Sequence, residues 1–291
     1  MANDAVYAAI TDQLLAEMDK GVAPWRREWT ISGGERHRNA TSNRPYSGIN
    51  PFILDMVAGV NGYSDPRWIT FKQAAKLGGK VKRGEKGTAV SHVNRGERLD
   101  TENLDENGKP KLITWSSYGY HRLFNVEQVE THGLGELVAP TDTFSPRDEA
   151  EKILSGYKDG PGVSFGGDRA FYSPRTDNVR LPLRGSFETE DAYYSTHFHE
   201  NIHSTGHPSR LSRFDLDATL PRFGSEDYSF EELIAEFGAA FLCGKSGISN
   251  TIPQSASYID NWASVLRKDR KMLIRAASRA QAAADHILGG E

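Results

Sequence analysis

The chain has 291 residues, of which 37% are hydrophobic and 25% charged, with a formal net charge of -4 and a single cysteine. This is the composition of a water-soluble protein long enough for two domains, each with its own core. One cysteine excludes an internal disulfide framework, and no apolar run approaches the ~20 residues that cross a bilayer, so a reducing cytoplasm is the expected setting.

The first residues read as an acidic amphipathic helix rather than a secretory signal, with apolar periodicity over 6–18 and Ile10, Leu14 and Leu15 on one face. Trp25 and Trp29 then bracket Arg26 and Arg27, and a polar, turn-rich stretch carries Asn39, Asn43, Tyr46, Gly48 and Asn50. Arg67-Trp68-Ile69-Thr70-Phe71-Lys72-Gln73 leads into a glycine-rich basic turn holding Lys80, Lys82, Arg83 and Lys86. Strands are predicted over 88–93, 112–115 and 118–125, and the acidic excursion 97–110 reads as a hairpin loop between them.

Charge is unevenly distributed. Residues 1–130 hold 18 Lys+Arg against 16 Asp+Glu, and the excess is concentrated over 20–98, with 15 basic and 6 acidic residues. The remainder holds 17 against 23, so a basic first half suited to a polyanion precedes an acidic second half. Aromatic rings interleaved with cations suit single-stranded nucleic acid, where each stacked base contributes ~1–3 kcal/mol and Lys/Arg neutralise phosphates. Phosphate contacts fall to Arg26, Arg27, Lys72, Lys80, Lys82, Arg83 and Lys86, and stacking surfaces to Trp25, Tyr46 and Trp68. The same residues also fit an ordinary core with a solvated lysine turn, and composition does not choose between the two. No zinc-finger spacing or RNP-type aromatic signature supports sequence-specific reading.

Residues 138–146, with Pro140 and Pro146, have the composition of a linker. Beyond it, 169–172 and 178–183 read as short strands joined by a turn, Pro182 marking an edge or a strand end. Then comes His199-Glu200-Asn201-Ile202-His203 on a predicted helix, capped by Ser186 or Thr189 and stopped by Gly206 and Pro208. Imidazoles at i and i+4 share one helix face and suit one metal ion, and Glu200 is placed to take a proton from water at that metal.

A catalytic metal needs a third protein ligand. Residues 230–242 read as an apolar helix carrying acids, on which Glu232 is the expected third ligand and Glu236 an acceptor for a ligand imidazole. Glu236 as the ligand is the alternative. His207 and His197 compete less well: a metzincin-type third histidine would fall at position 209, which is Ser209, and His197 points to another side of the helix. Tyr172 and Tyr228 are candidates to polarise a carbonyl, although core packing is the commoner fate of a tyrosine. Cys243 reads as a buried space-filler. A long terminal helix is expected over 255–288.

Both halves resemble the ArdC-type antirestriction proteins of conjugative plasmids, which have relatives in phages and plasmid primases. In the first half the resemblance rests on Ala23-Pro24-Trp25, Tyr46-Ser47-Gly48-Ile49-Asn50, residues 67–74 and 79–87, and Phe124-Asn125-Val126-Glu127-Gln128. In the second it rests on His199-Glu200, His203, Gly206-His207, Ser209-Arg210-Leu211, residues 231–236 and the helix around Trp262. The resemblance implies an α+β chain of two domains. A small mixed α/β domain binding single-stranded DNA spans 1–130, a linker 131–146, and a zincin-like metallopeptidase domain 147–291. It further implies protection of incoming plasmid or phage DNA from host restriction. The expected cofactor is Zn2+, with Mn2+ as another divalent candidate, and the expected partners are single-stranded DNA and a protein substrate such as a restriction enzyme subunit, with no membrane. The competing reading is a DNA-coating protein whose metal domain is structural and does no chemistry.

Overall fold

The computed structural model describes residues 8, 10–12, 14–16, 18–19, 37–104, 109–131, 133–134, 146–216, 226–250 and 256–290. Trp25, Arg26 and Arg27 lie outside the described residues, as does most of the expected linker.

The first half is built on a four-stranded sheet of order β1-β2-β5-β4, from β1 (Arg38–Asn39), β2 (Arg67–Thr70), β4 (Thr88–Leu104) and β5 (Pro110–Asn125). β1 runs parallel to β2, and the other pairings are antiparallel. A short pair, β3 (Lys80–Val81) with β6 (Val129–Glu130), lies beside it. Helix α1 (Asn50–Asn61) takes Pro51 in its first turn and stops at Gly62, whose φ of 73° suits a residue without Cβ. Helix α2 (Phe71–Lys76) starts from a reciprocal Thr70/Gln73 capping box.

Two expectations change here. The stretch 97–110 is mostly strand: the β4–β5 ladder runs through Glu97↔Thr114 and Asp100↔Lys111 to Leu104↔Pro110, with a register shift between Asp100 and Leu104. A two-stranded ribbon has no face that must be buried, so acidic residues do not end it. Trp68, expected as a stacking surface, is wholly buried with Leu54, Ala58, Val90 and Leu123, and its indole Nε1–H donates to His37 Nδ1 at 2.9 Å. A ring enclosed on all sides offers no face to a base.

The second half holds a three-stranded sheet of order β7-β9-β8, from β7 (Gly162–Phe165), β8 (Phe171–Ser173) and β9 (Asn178–Leu181). β7 was not expected, and it makes β9 the central strand, so Pro182 marks a strand end and not an edge. Helices α3 (Pro146–Gly156), α4 (Glu190–Ser204), α5 (Glu226–Ser246), α6 (Ala256–Lys268) and α7 (Met272–Ile287) complete it. The single terminal helix expected over 255–288 is therefore two. Asp269 accepts the Lys271 backbone N–H at 2.9 Å, which draws the chain away from the helical ladder at the break.

The largest core draws on both halves. Ile10, Leu14, Phe52 and Ile53 belong to the same buried cluster as Leu233, Phe237, Trp262 and Leu273. The Phe52 ring centroid lies 4.9 Å from those of both Phe237 and Phe241. Thr11 Oγ1 donates to the Arg270 carbonyl at 2.9 Å. Among the described residues no helix is long and apolar enough to cross a membrane.

Candidate metal centre

Helix α4 begins at Thr189, whose Oγ1 accepts the Ala192 N–H at 3.0 Å, with Glu190 and Asp191 in the first turn where the helix dipole favours them. Ser186 instead sits in a short 3-10 turn. After α4 the chain folds back sharply, and the Gly206 carbonyl accepts the backbone N–H groups of Arg213 and Phe214, both at 2.8 Å. A Cβ at Gly206 would meet Phe214 at 2.5 Å, so the return requires glycine there. Helix α5 approaches α4 closely for the same reason, since a Cβ at Gly238 would meet Ile202 at 2.5 Å.

That approach brings three expected donors together. His199 Nε2 and His203 Nε2 lie 3.1 Å apart, and Glu232 reaches each of them at 3.6 Å. All three donor atoms fall within 4.8 Å of one another. Glu236, 3% exposed, sits behind this group, its Oε1 3.8 Å from His199 Nδ1. On the other ring, His203 Nδ1 meets Glu231 Oε1 at 3.2 Å. With both imidazoles neutral and the protons on these carboxylate-facing Nδ1 atoms, the two Nε2 lone pairs would turn towards each other and towards Glu232, which is a donor set for a cation. Glu200 is buried on the same helix.

The charges reinforce one another. Burial opposes the His199 imidazolium, but the neighbouring carboxylates of Glu232, Glu200 and Glu236 outweigh it and raise its pKa to about 9. Burial would push Glu232 up, yet the nearby His199 and His203 and a hydrogen bond from Tyr228 bring it down to about 2. Glu231 is likewise held below the usual carboxylate range against its burial, by His203 and by Arg213.

Glu231 and Arg213 were missed in the sequence. The Arg213 guanidinium forks onto Glu231 at 3.0 and 2.7 Å and also donates to Thr205 Oγ1 at 2.7 Å and the Ile202 carbonyl at 2.9 Å. The available signal was Glu231 beside Glu232 on an apolar helix, with an arginine soon after the motif.

The competing histidines stand apart. His197 is buried against Tyr193, with ring centroids 5.8 Å apart, and burial pushes its pKa down to about 4. His207 Nδ1 pairs with Ser209 Oγ at 2.7 Å. Tyr172 donates to Asp177 at 2.8 Å, and Arg210 ties both side chains together, so this phenol is committed to a structural network. Tyr228 reaches the centre through Glu232. Cys243 is fully buried, as a space-filler should be.

In the first half, Lys72, Lys80, Lys82, Arg83 and Lys86 are all exposed, although Lys82 Nζ donates to the Glu127 carbonyl at 2.7 Å. Tyr46 is half-buried, its hydroxyl accepting from Asn39 Nδ2 at 3.3 Å. Phe71, beside Lys72, is 62% exposed, unlike Trp68, and Tyr120 is also exposed.

Residues 4–124 match the family described as the N-terminal domain of anti-restriction factor ArdC, and residues 148–279 match the zincin-like metallopeptidase family. The chain is 37% identical to a DNA primase TraC of Escherichia coli over 299 residues, covering 98% of this chain and 27% of that protein. It therefore spans about a quarter of the length of that primase. The uncharacterized protein y4eC of Sinorhizobium fredii is 32% identical over 286 residues, covering 96% of this chain and 90% of that one. Crystal structures of the antirestriction ArdC protein from the R388 plasmid, metal-free and Mn(II)-bound, superpose with TM-scores of 0.76 and 0.74. Each is 31% identical and covers 98% of this chain and 97% of that one. With both halves matched in order and a solved relative alike along nearly its whole length, the chain belongs to the ArdC antirestriction family, an ArdC N-terminal domain followed by a zincin-like metallopeptidase domain.

Proposed function

We propose that His199, His203 and Glu232 hold one divalent metal ion, with Glu200 as the general base of a peptidase site. The supporting observation is the convergence of two imidazole Nε2 atoms and one carboxylate within 4.8 Å. Zinc is the expected ion for this donor set, and the Mn(II)-bound relative makes Mn2+ the alternative. When bound, the metal supplies Lewis acidity towards a carbonyl oxygen and towards water. Glu200 takes the proton from the attacking water on its carboxylate and returns it to the leaving amine. Glu231 holds His203 with Nε2 facing inward, and Glu236 faces the Nδ1 side of His199.

The first half, over 1–130, binds single-stranded DNA without sequence-specific reading, through Lys72, Lys80, Lys82, Arg83 and Lys86 together with Trp25, Arg26 and Arg27. Joined through 131–146 to the peptidase half, it concentrates that site near proteins on incoming plasmid or phage DNA, such as restriction enzyme subunits in the cytoplasm. Affinity should fall steeply with salt, as log K changes by about 0.7 per phosphate neutralised on a single strand for each tenfold rise.

A second reading has a specific observation behind it: the metal-bearing half shares its main core with the first half, so it could serve as scaffold for a DNA-coating protein. Glu200→Gln separates the two. The peptidase reading expects metal to be retained while cleavage of a restriction subunit and protection of transformed DNA are lost. Full protection by this variant would favour the coating protein.

A further inference from the structure

Between the end of α1 and the turn leading into β4 lies a cleft of about 400 Å3, lined by Val57, Asn61, Tyr63, Glu85, Lys86 and Gln128 among others. It shares no lining residue with the metal centre, and its volume falls in the range of about 300–1,000 Å3 typical of small-ligand sites. The turn that forms one wall depends on Gly84, with a φ of 90°.

The polar groups of the cleft are unevenly satisfied. Gln128 is fully engaged: its Oε1 accepts the Asn125 N–H at 2.8 Å, and its Nε2 donates to Glu85 Oε2 at 2.7 Å and to the Lys86 carbonyl at 3.3 Å. Glu85 keeps its second carboxylate oxygen, and Asn61, whose Nδ2 donates to the Val57 carbonyl at 2.8 Å, keeps its Oδ1. Among the described residues neither oxygen has a partner, and both are exposed acceptors, so the complementary ligand brings donors. Val57 and the half-buried Tyr63 ring supply apolar surface, Tyr63 being fixed edge-on against Trp68 at 6.1 Å between centroids. Lys86 lines the cleft and is exposed, as is Arg83 in the turn beside Gly84.

We propose that this cleft is a nucleobase site, taking one unstacked base that carries an exocyclic amino group. The amino group donates to Glu85 and Asn61, while Arg83 and Lys86 meet the flanking phosphates. Carboxylates accept from the cytosine N4 amino group in this way, whereas thymine would turn a carbonyl oxygen against the carboxylate. Single-strand recognition commonly works through bases splayed into such pockets. The inference rests on the single-stranded-DNA reading and departs from its lack of base reading at this one position.

Fluorescence anisotropy of the full chain with labelled oligo(dC) and oligo(dT) of equal length, at one salt concentration, tests it. Wild type should bind oligo(dC) at least about fivefold more tightly, the lower end of what one good base contact discriminates. Glu85→Gln should abolish that ratio. Asn61→Ala, at an exposed helix end, should reduce it, and provides the same readout should Glu85→Gln fail to fold. Equal binding of both oligonucleotides by wild type, or a ratio unchanged in the variants, overturns the pocket but leaves strand binding standing. If neither oligonucleotide binds, the strand-binding reading itself fails, and the pocket with it.

Discussion

His203 shows how much of a metal site lies in residues that touch no metal. Its Nδ1 is held by Glu231, and Glu231 by the Arg213 fork, so the ring orientation is fixed from outside the donor set. Replacing Glu231 by Gln should weaken metal binding by about 10- to 100-fold, the usual effect of losing such a partner, in a calorimetric titration of the purified protein. Unchanged affinity would mean that His203 needs no such support. The i,i+4 histidines and Glu200 were legible because their spacing is local to one helix. Arg213 was not, because it returns to the site only through the fold-back at Gly206, which no periodicity encodes.

At the same scale, Asp177 carries a pH signature. Burial alone would raise its carboxyl, but Arg210 and the Tyr172 hydroxyl hold it below the usual carboxylate range. The folded protein then binds fewer protons than the unfolded chain as pH falls past the ordinary Asp range near 3.8. Its stabilisation is complete above that pH and disappears as pH drops through the lowered folded value. Urea midpoints between about pH 5 and 3 should therefore fall less steeply in Asp177→Asn than in wild type. Parallel slopes would show that Asp177 contributes nothing to the pH dependence.

At the level of elements, the site exists because α4 and α5 pack without a side chain at Gly238. Gly238→Ala would gain up to about 1 kcal/mol of helix propensity but force Ile202 to move, an overpacking cost of about 1–3 kcal/mol. A net loss of about 1 kcal/mol, seen as a lower urea midpoint with unchanged slope, is the expected result. A stabilised variant would show that the two helices have slack. A cap with acids in the first turn made α4 readable in the sequence, and an apolar run carrying acids made α5 so. The acidic ribbon and the break at Asp269 were not, because one is held by backbone pairing that tolerates polar side chains and the other by a single side-chain bond to the backbone. Trp68 shows the limit of composition: an aromatic beside cations reads alike whether it is packed or presented, and here His37 completes its burial.

Across the whole molecule, the two family-matched halves share one core. Phe52 from the first half packs against α5, the helix that carries Glu232, so the metal centre is braced by residues that a division by charge assigns elsewhere. The basic surface around Lys72, Arg83 and Lys86 and the buried His199–His203–Glu232 group thus sit on one continuous framework. The proposed chemistry requires that group to hold a metal through Glu232 and not Glu236. Metal content and affinity of wild type, Glu232→Ala and Glu236→Ala, compared after identical loading with Zn2+ and with Mn2+, test this most directly. One equivalent in wild type, loss in Glu232→Ala and retention with weakened affinity in Glu236→Ala is the predicted result. Retention in Glu232→Ala with loss in Glu236→Ala, or no bound metal in wild type, would contradict it.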